Sequence, residues 1–238
     1  MEKKFEESLC FAYEKHKNQK RKGSGLPYMV HIYDVVKILI ENGADEKTLT
    51  AGALHDTVED TGTSLIELES LFGTEVADMV NVLSERKSLP YSERKHIQAM
   101  RIRKADRKTK MVKCADCLSN LRDTFKECNR PNFWERFNAP KQDIEKHYSE
   151  TIDAIADLEG MAMYAEVKEV FNKIFISTKG KFCTDCNLMK RLPDPDPNDW
   201  FCDDDEKYVC GVTGKVLSEA NRPYEKQPTP PDCPILDK

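Results

Sequence analysis

No stretch of this 238-residue chain approaches the roughly 20 consecutive apolar residues that cross a bilayer. The opening MEKKFEESLCFAYEK also lacks an apolar segment long enough for a secretory signal. A soluble, cytoplasmic protein without a membrane partner is expected. Cations are not in excess either: 37 Lys and Arg face 42 Asp and Glu, for a formal charge of −5. Without a global basic field, sequence-independent nucleic-acid binding is disfavoured, and only a local basic patch remains open. An even set of cysteines is missing too. Nine of them, with no secretion signal, argue for thiols and metal ligation over a disulfide framework.

What the chain does have is concentrated in Ala51 to Thr61, AGALHDTVEDT. Read as one helix from Glu46 to Val58 and beyond, it stacks His55 over Glu59 and Asp56 over Asp60. AGAL and Val58 suggest that the segment is at least half buried. Three carboxylates together in such a place repel one another unless a cation or a shared proton intervenes. A metal site with adjacent acid–base groups fits this pattern. A solvated polar helix face is the alternative.

The flanking chain reads as helices. Phe5 to Gln19 spaces Phe5, Leu9, Ala12, Tyr13 and His16 at three and four residues. KRKGSGLPY then breaks the pattern at its glycines and Pro27. Lys20, Arg21 and Lys22 on this break are either a solvated helix end or, beside a carboxylate-lined metal, cations for substrate phosphates. Met29 to Asn42 forms a second helix with His31 in its first turn. A lone histidine there is more often structural than a ligand. Ser64 and Glu67 give a capping box for a helix that Gly73 closes. Glu75 to Leu83 is another helix, and a basic helical run, KHIQAMRIRKADRKTK, follows the loop SERKSLPYSER.

MVKCADCLSNLRD, residues 111 to 123, places Asp116 inside an apolar stripe, with Asn120 one turn on. A buried aspartate there needs a metal or a cationic partner such as an arginine. Cys114 and Cys117 point apart on a continuous helix and read as small core residues. Beyond them, NFWERF and the helix through Ile144, Tyr148, Ile152 and Ile155 supply either pocket-closing groups, Arg136 and Tyr148 foremost, or ordinary core.

After Ile176 the composition changes. Five of the nine cysteines and most of the twelve prolines fall in residues 177–238, and too few aliphatics remain for a core. Cys183-x2-Cys186 is the spacing with which two thiolates grip one zinc, and Cys202, Cys210 and Cys233 supply the other ligands with one to spare. A small Cys-rich, zinc-stabilised module is expected over a tail of free thiols. The domains are then 1–176 and 177–238.

The run RKGSGLPYMVH, LHDTVEDT, Phe72-Gly73 with Glu75-Val76-Ala77, and VKCADCLSNLRD together resemble the HD-domain metal-dependent phosphohydrolases. More narrowly they resemble the hydrolase domain of RelA/SpoT alarmone enzymes and their small stand-alone relatives, over roughly residues 8 to 150. The resemblance implies an all-α HD bundle and, for His31, His55, Asp56 and Asp116, one divalent ion, manganese in similar enzymes. It implies that Glu59 and Asp60 handle the attacking water, that Arg21, Lys22 and Ser24 lie near the nucleotide, and that Asn120 faces ribose and phosphate. Ser119 and Cys117 depart from the usual histidine and arginine. The implied reaction removes pyrophosphate from the 3′ position of guanosine tetra- or pentaphosphate. The alternatives are another phosphorylated nucleotide, such as a nucleoside monophosphate or nicotinamide dinucleotide phosphate, or a nucleotide-sensing binding module. No room remains for a synthetase domain, so synthesis is not expected.

Overall fold

The computed structural model describes residues 3–22, 24–85, 87–176, 189–191, 206–210 and 216–220. Two compact units divide the chain, Met1–Phe171 and Asn172–Lys238. The first is helical: α1 (Lys3–His16), α2 (Met29–Glu41), α3 (Glu46–Leu54), α4 (Thr57–Thr61), α5 (Leu65–Phe72), α6 (Thr74–Leu83), α7 (Tyr91–Lys104), α8 (Arg107–Glu127), α9 (Lys141–Ala154) and α10 (Ala162–Phe171), with short 3₁₀ turns at Trp134–Arg136 and Ala156–Leu158.

Helix α8 is the axis of this unit and packs against α2, α3, α6, α7 and α10. Its 21 residues include Val112, Cys114, Ala115, Cys117, Leu118 and Leu121, all buried. Cys114 and Cys117 are free core thiols, and burial raises the pKa of both. The basic run expected to be one helix is two, because Asp106 caps the start of α8 by accepting from the Thr109 N–H at 2.7 Å. Ser64 likewise caps α5, accepting from the Glu67 N–H at 3.1 Å. Helix α1 stops at His16, three residues earlier than the apolar spacing suggests, and the chain passes into a tight loop.

In that loop the Arg21 N–H donates to the Leu26 carbonyl at 2.9 Å and the Tyr28 N–H to the Gln19 carbonyl at 2.9 Å. Gly25 turns the loop at φ 70°, a left-handed conformation that favours glycine. The helix expected across Glu46 to Val58 is interrupted at His55 and Asp56, between α3 and α4. The Thr57 hydroxyl donates to the Leu54 carbonyl at 2.7 Å and His55 Nδ1 bonds the Gly52 carbonyl at 2.8 Å. These side-chain bonds compete with the helical ladder.

The second unit begins with a π-helical turn, Asn172–Ile176. It contains an antiparallel sheet of β1 (Met189–Arg191), β2 (Glu206–Cys210) and β3 (Val216–Ala220), in the order β1-β2-β3. The reading of the tail as a small module did not anticipate strands. Met189 pairs with Cys210 and Glu206 with Ala220. Of the proposed zinc ligands only the backbone of Cys210 is described; Cys183, Cys186, Cys202 and Cys233 lie outside the described residues.

Candidate metal centre

The break between α3 and α4 turns His55 and Asp56 inward, where α2 brings His31 and α8 brings Asp116. His31 Nε2 lies 3.3 Å from His55 Nε2 and 3.4 Å from Asp116 Oδ1. His55 Nε2 lies 2.8 Å from Asp56 Oδ2 and 3.8 Å from Asp116 Oδ1, and His31 Nε2 is 3.7 Å from Asp56 Oδ2. The ligating atoms of His31, His55 and Asp116 all fall within 4.8 Å of one another. Such separations suit donors sharing one ion at bond lengths of about 2.0–2.2 Å.

Both histidines direct Nε2 inward because Nδ1 is occupied. His31 Nδ1 lies 3.0 Å from the Ser119 hydroxyl, and His55 Nδ1 bonds the Gly52 carbonyl. Fixing the far nitrogen of an imidazole is how proteins orient a metal ligand. Tyr28 donates its hydroxyl to Asp56 Oδ2 at 2.5 Å. Lys113 and Asn120 flank Asp116 on α8 and donate to its two oxygens at 3.0 and 2.6 Å. The cationic partner considered for Asp116 is thus a lysine from its own helix.

The charges here favour a cation. Burial opposes protonation of His55, but the Asp56 and Asp116 carboxylates outweigh it and push His55 up to about 9. Burial also opposes ionisation of Asp116, yet Lys113 and the two histidines hold its carboxyl well below the usual range. A divalent ion supplies the positive charge that this pair of carboxylates otherwise draws onto an imidazole. Two nitrogen and two carboxylate donors are a set that suits such an ion.

Glu59 and Asp60 sit in the first turn of α4, where the Asp60 N–H still donates to the Asp56 carbonyl at 2.9 Å, and both side chains reach neighbouring loops. Glu59 Oε2 accepts from the Glu85 N–H at 3.1 Å, and Lys87 Nζ approaches Asp60 Oδ1 at 2.6 Å and Glu59 Oε1 at 3.9 Å. Burial, then the charges of Glu85 and Asp56, raise the Glu59 pKa above the ordinary carboxylate value. Its carboxylate is accordingly more basic than that of an ordinary glutamate and suited to take up a proton.

Arg21 turns inward and donates to Asn120 Oδ1 and Asp123 Oδ2, both at 2.9 Å. Through Asn120 the α1–α2 loop is therefore tied to Asp116. Lys22 is exposed, and the Ser24 hydroxyl accepts from the Leu26 N–H at 3.4 Å within the loop. Burial raises the Tyr148 phenol well above its usual pKa, with Cys117 and Asp116 adding to the rise and Arg21 opposing it. Arg136 stands 3.7 Å over the Phe133 ring and pairs with Glu127 at 2.7 Å, and none of its described contacts reaches the metal ligands. Lys113, Tyr28, Gln19 and Lys87 were not singled out from sequence. Only the lysine, three residues before Asp116 on the same helix, carried a spacing signal that could have found it.

Three side chains that could ligate one metal, from α2, the α3–α4 junction and α8, with an acidic residue of raised pKa alongside, define a metal-dependent hydrolase centre. The chain belongs to the HD-domain family, whose model, described as HD domain, matches residues 8–156. It is 36% identical over 173 residues to the guanosine-3′,5′-bis(diphosphate) 3′-pyrophosphohydrolase MESH1 of Danio rerio, covering 71% of this chain and 91% of that protein. The MESH1 of Drosophila melanogaster is 40% identical over 134 residues, covering 55% and 74%. A solved structure described as a metazoan ortholog of SpoT that hydrolyzes ppGpp superposes with a TM-score of 0.62 at 31% identity, over 73% of this chain and 96% of that one.

Proposed function

We propose that this protein hydrolyses the 3′-pyrophosphate of guanosine tetra- or pentaphosphate, consuming water and releasing GDP or GTP and pyrophosphate, with manganese as the native metal and the cytoplasm as its compartment. The observation that carries the proposal is the convergence of His31, His55, Asp56 and Asp116 beside Glu59, in a chain similar over most of its helical unit to proteins named for that reaction. A divalent ion held by those four residues supplies Lewis acidity toward a phosphoryl oxygen and lowers the pKa of water. Glu59 takes the proton of the attacking water, and Asp60 orients that water. Arg21, Lys22, Ser24 and Asn120 face the nucleotide, with the Arg21 guanidinium neutralising phosphate charge and Asn120 linking it to Asp116. Arg136 and Tyr148 close over the nucleotide.

Purified protein with manganese should release pyrophosphate from guanosine tetraphosphate, and Asp116→Ala should not. No release by the wild type, with manganese bound, would overturn the substrate assignment. A panel including nucleoside monophosphates and nicotinamide dinucleotide phosphate then identifies the phosphorylated nucleotide that is cleaved. Nucleotide binding without any turnover would make the chain a sensing module.

For residues 177–238 the proposal is a structural zinc module, set apart from a hydrolase domain of residues 1–176. Cys183 and Cys186 hold one zinc with two of Cys202, Cys210 and Cys233, a set of four thiolates that leaves no open position for catalysis. One zinc per chain should survive dialysis and be lost in Cys183→Ser/Cys186→Ser. Equal zinc content in both proteins would refute the module.

A further inference from the structure

Behind Asp60 lies a chain of contacts that the reaction as described does not use. Gln19 Nε2 donates to Asp60 Oδ2 at 2.8 Å, and Gln19 Oε1 lies 2.7 Å from His16 Nδ1. His16 is 1% exposed, so this ring is a buried polar group at the end of α1. Its other nitrogen, Nε2, is buried with no hydrogen-bond partner. The ring stacks on Tyr28, with centroids 4.9 Å apart and planes 25° from parallel, and Tyr28 is the residue that donates to the metal ligand Asp56.

The chemistry of the groups orients this chain. An ionised carboxylate only accepts, so Gln19 must turn its NH₂ toward Asp60. That leaves the Gln19 oxygen facing His16, and an amide oxygen also only accepts. His16 must therefore donate from Nδ1. The orphaned Nε2 agrees, since a buried nitrogen without a partner costs less as a lone pair than as a stranded N–H.

We infer that Gln19, oriented by His16 in its Nδ1–H tautomer, is a positioning residue that fixes the Asp60 carboxylate in the site. It works opposite Lys87, which engages the other Asp60 oxygen at 2.6 Å. Gln19 grips Asp60 from the α1–α2 loop and Lys87 from the α6–α7 loop, so the carboxylate is held from two sides. His16 thereby supports both parts of the centre, Asp60 through Gln19 and Asp56 through the stacked Tyr28. The functional consequence rests on the role proposed above for Asp60, whereas the tautomer does not.

The experiment uses the full chain as wild type, Gln19→Met, His16→Phe, Asp60→Asn and the double variant Gln19→Met/Asp60→Asn. Methionine keeps the length of Gln19 without its donor, and phenylalanine keeps the ring that stacks on Tyr28. Each single variant at 16 or 19 should lower kcat for pyrophosphate release by about tenfold to a hundredfold, with KM and manganese affinity unchanged, as expected for a misplaced group. In the Asp60→Asn background, Gln19→Met should add nothing, because it acts through Asp60. With magnesium in place of paramagnetic manganese, ¹⁵N NMR should find His16 protonated at Nδ1, and Gln19→Met should abolish that preference. Wild-type kcat in Gln19→Met, or a full further loss in the double variant, would overturn the positioning role. A His16 protonated at Nε2 would overturn the chain of contacts itself, even if guanosine tetraphosphate proved to be the wrong substrate.

Discussion

Lys113 shows how much a single residue decides in this centre. Its ammonium is buried beside Asp116 at 3.0 Å, and although burial opposes the charge, Asp116 raises its pKa. Removing one member of a buried ion pair strands the other, typically at a cost of about 3–5 kcal/mol. A divalent ion on Asp116 would offset part of that loss. Lys113→Met should consequently melt far below the wild type in chelator and much closer to it in manganese, and a depression equal in both would show that Lys113 does not share Asp116 with a metal. Glu59 is tested differently, because it contacts the Glu85 N–H and Lys87 but is not a ligand. Glu59→Ala should retain manganese affinity by calorimetry while losing pyrophosphate release, and wild-type turnover would remove it from the proton transfer.

At the scale of elements, the junction of α3 and α4 depends on how closely α3 approaches α2. A Cβ on Gly52 would stand 2.4 Å from Leu39 Cδ1, and Leu39 is fully buried. Alanine gains roughly 1 kcal/mol of helix propensity over glycine, but overpacking a closed core typically costs about 1–3 kcal/mol. Gly52→Ala should therefore be destabilised on denaturant titration, with weaker metal binding because the Gly52 carbonyl orients His55; greater stability than the wild type would mean that Leu39 yields freely. The start of α3 gives a pH signature. Burial pushes Asp45 up, but the Thr48 hydroxyl and N–H and the Lys108 ammonium outweigh it and hold Asp45 down to about 2. A carboxylate depressed in the folded state stabilises above its unfolded pKa, and that contribution is lost as pH falls from about 4 toward 2. The stability difference between wild type and Asp45→Ala should be about 1 kcal/mol at neutral pH and should shrink across that acidic window. A difference independent of pH would remove the cap from the account.

For the whole helical unit, a metal held by the proposed ligands would tie together elements far apart in sequence, α2, the α3–α4 junction and α8. Binding to the folded state alone at 100 times Kd contributes about 2.7 kcal/mol, which for a chain of this size corresponds to a rise in Tm of roughly 5–10 °C. Manganese should raise the wild-type Tm by that order, and Asp116→Ala should show no rise. No helix among the described residues is long and apolar enough to cross a membrane. The tail scales differently: it has three short strands, β1 to β3, in a stretch of sequence with few aliphatics, and a zinc clamp is the proposed substitute for a core.

Local physics made most of the helices readable in the sequence, and it made the ligand candidates readable too. Three-and-four spacing of apolar residues, Ser64 with Glu67, and glycine after Phe72 are written within one or two turns of chain. An aspartate within the apolar stripe of α8 announces a buried charge whatever surrounds it. What only the tertiary structure decided is which groups share that charge. His31 looked structural by itself, and it becomes a metal-site residue because α2 packs on α8 and Ser119 occupies its Nδ1. The helix is interrupted at His55 and Asp56, where hydroxyl and imidazole bonds to nearby carbonyls compete with the ladder. Gln19 and Asp60, 41 residues apart, meet only after the α1–α2 loop closes. Periodicity reports the face a residue presents, a property of a few neighbours along the chain. Pairing across the core depends on which faces meet, and that is settled by packing of the whole unit.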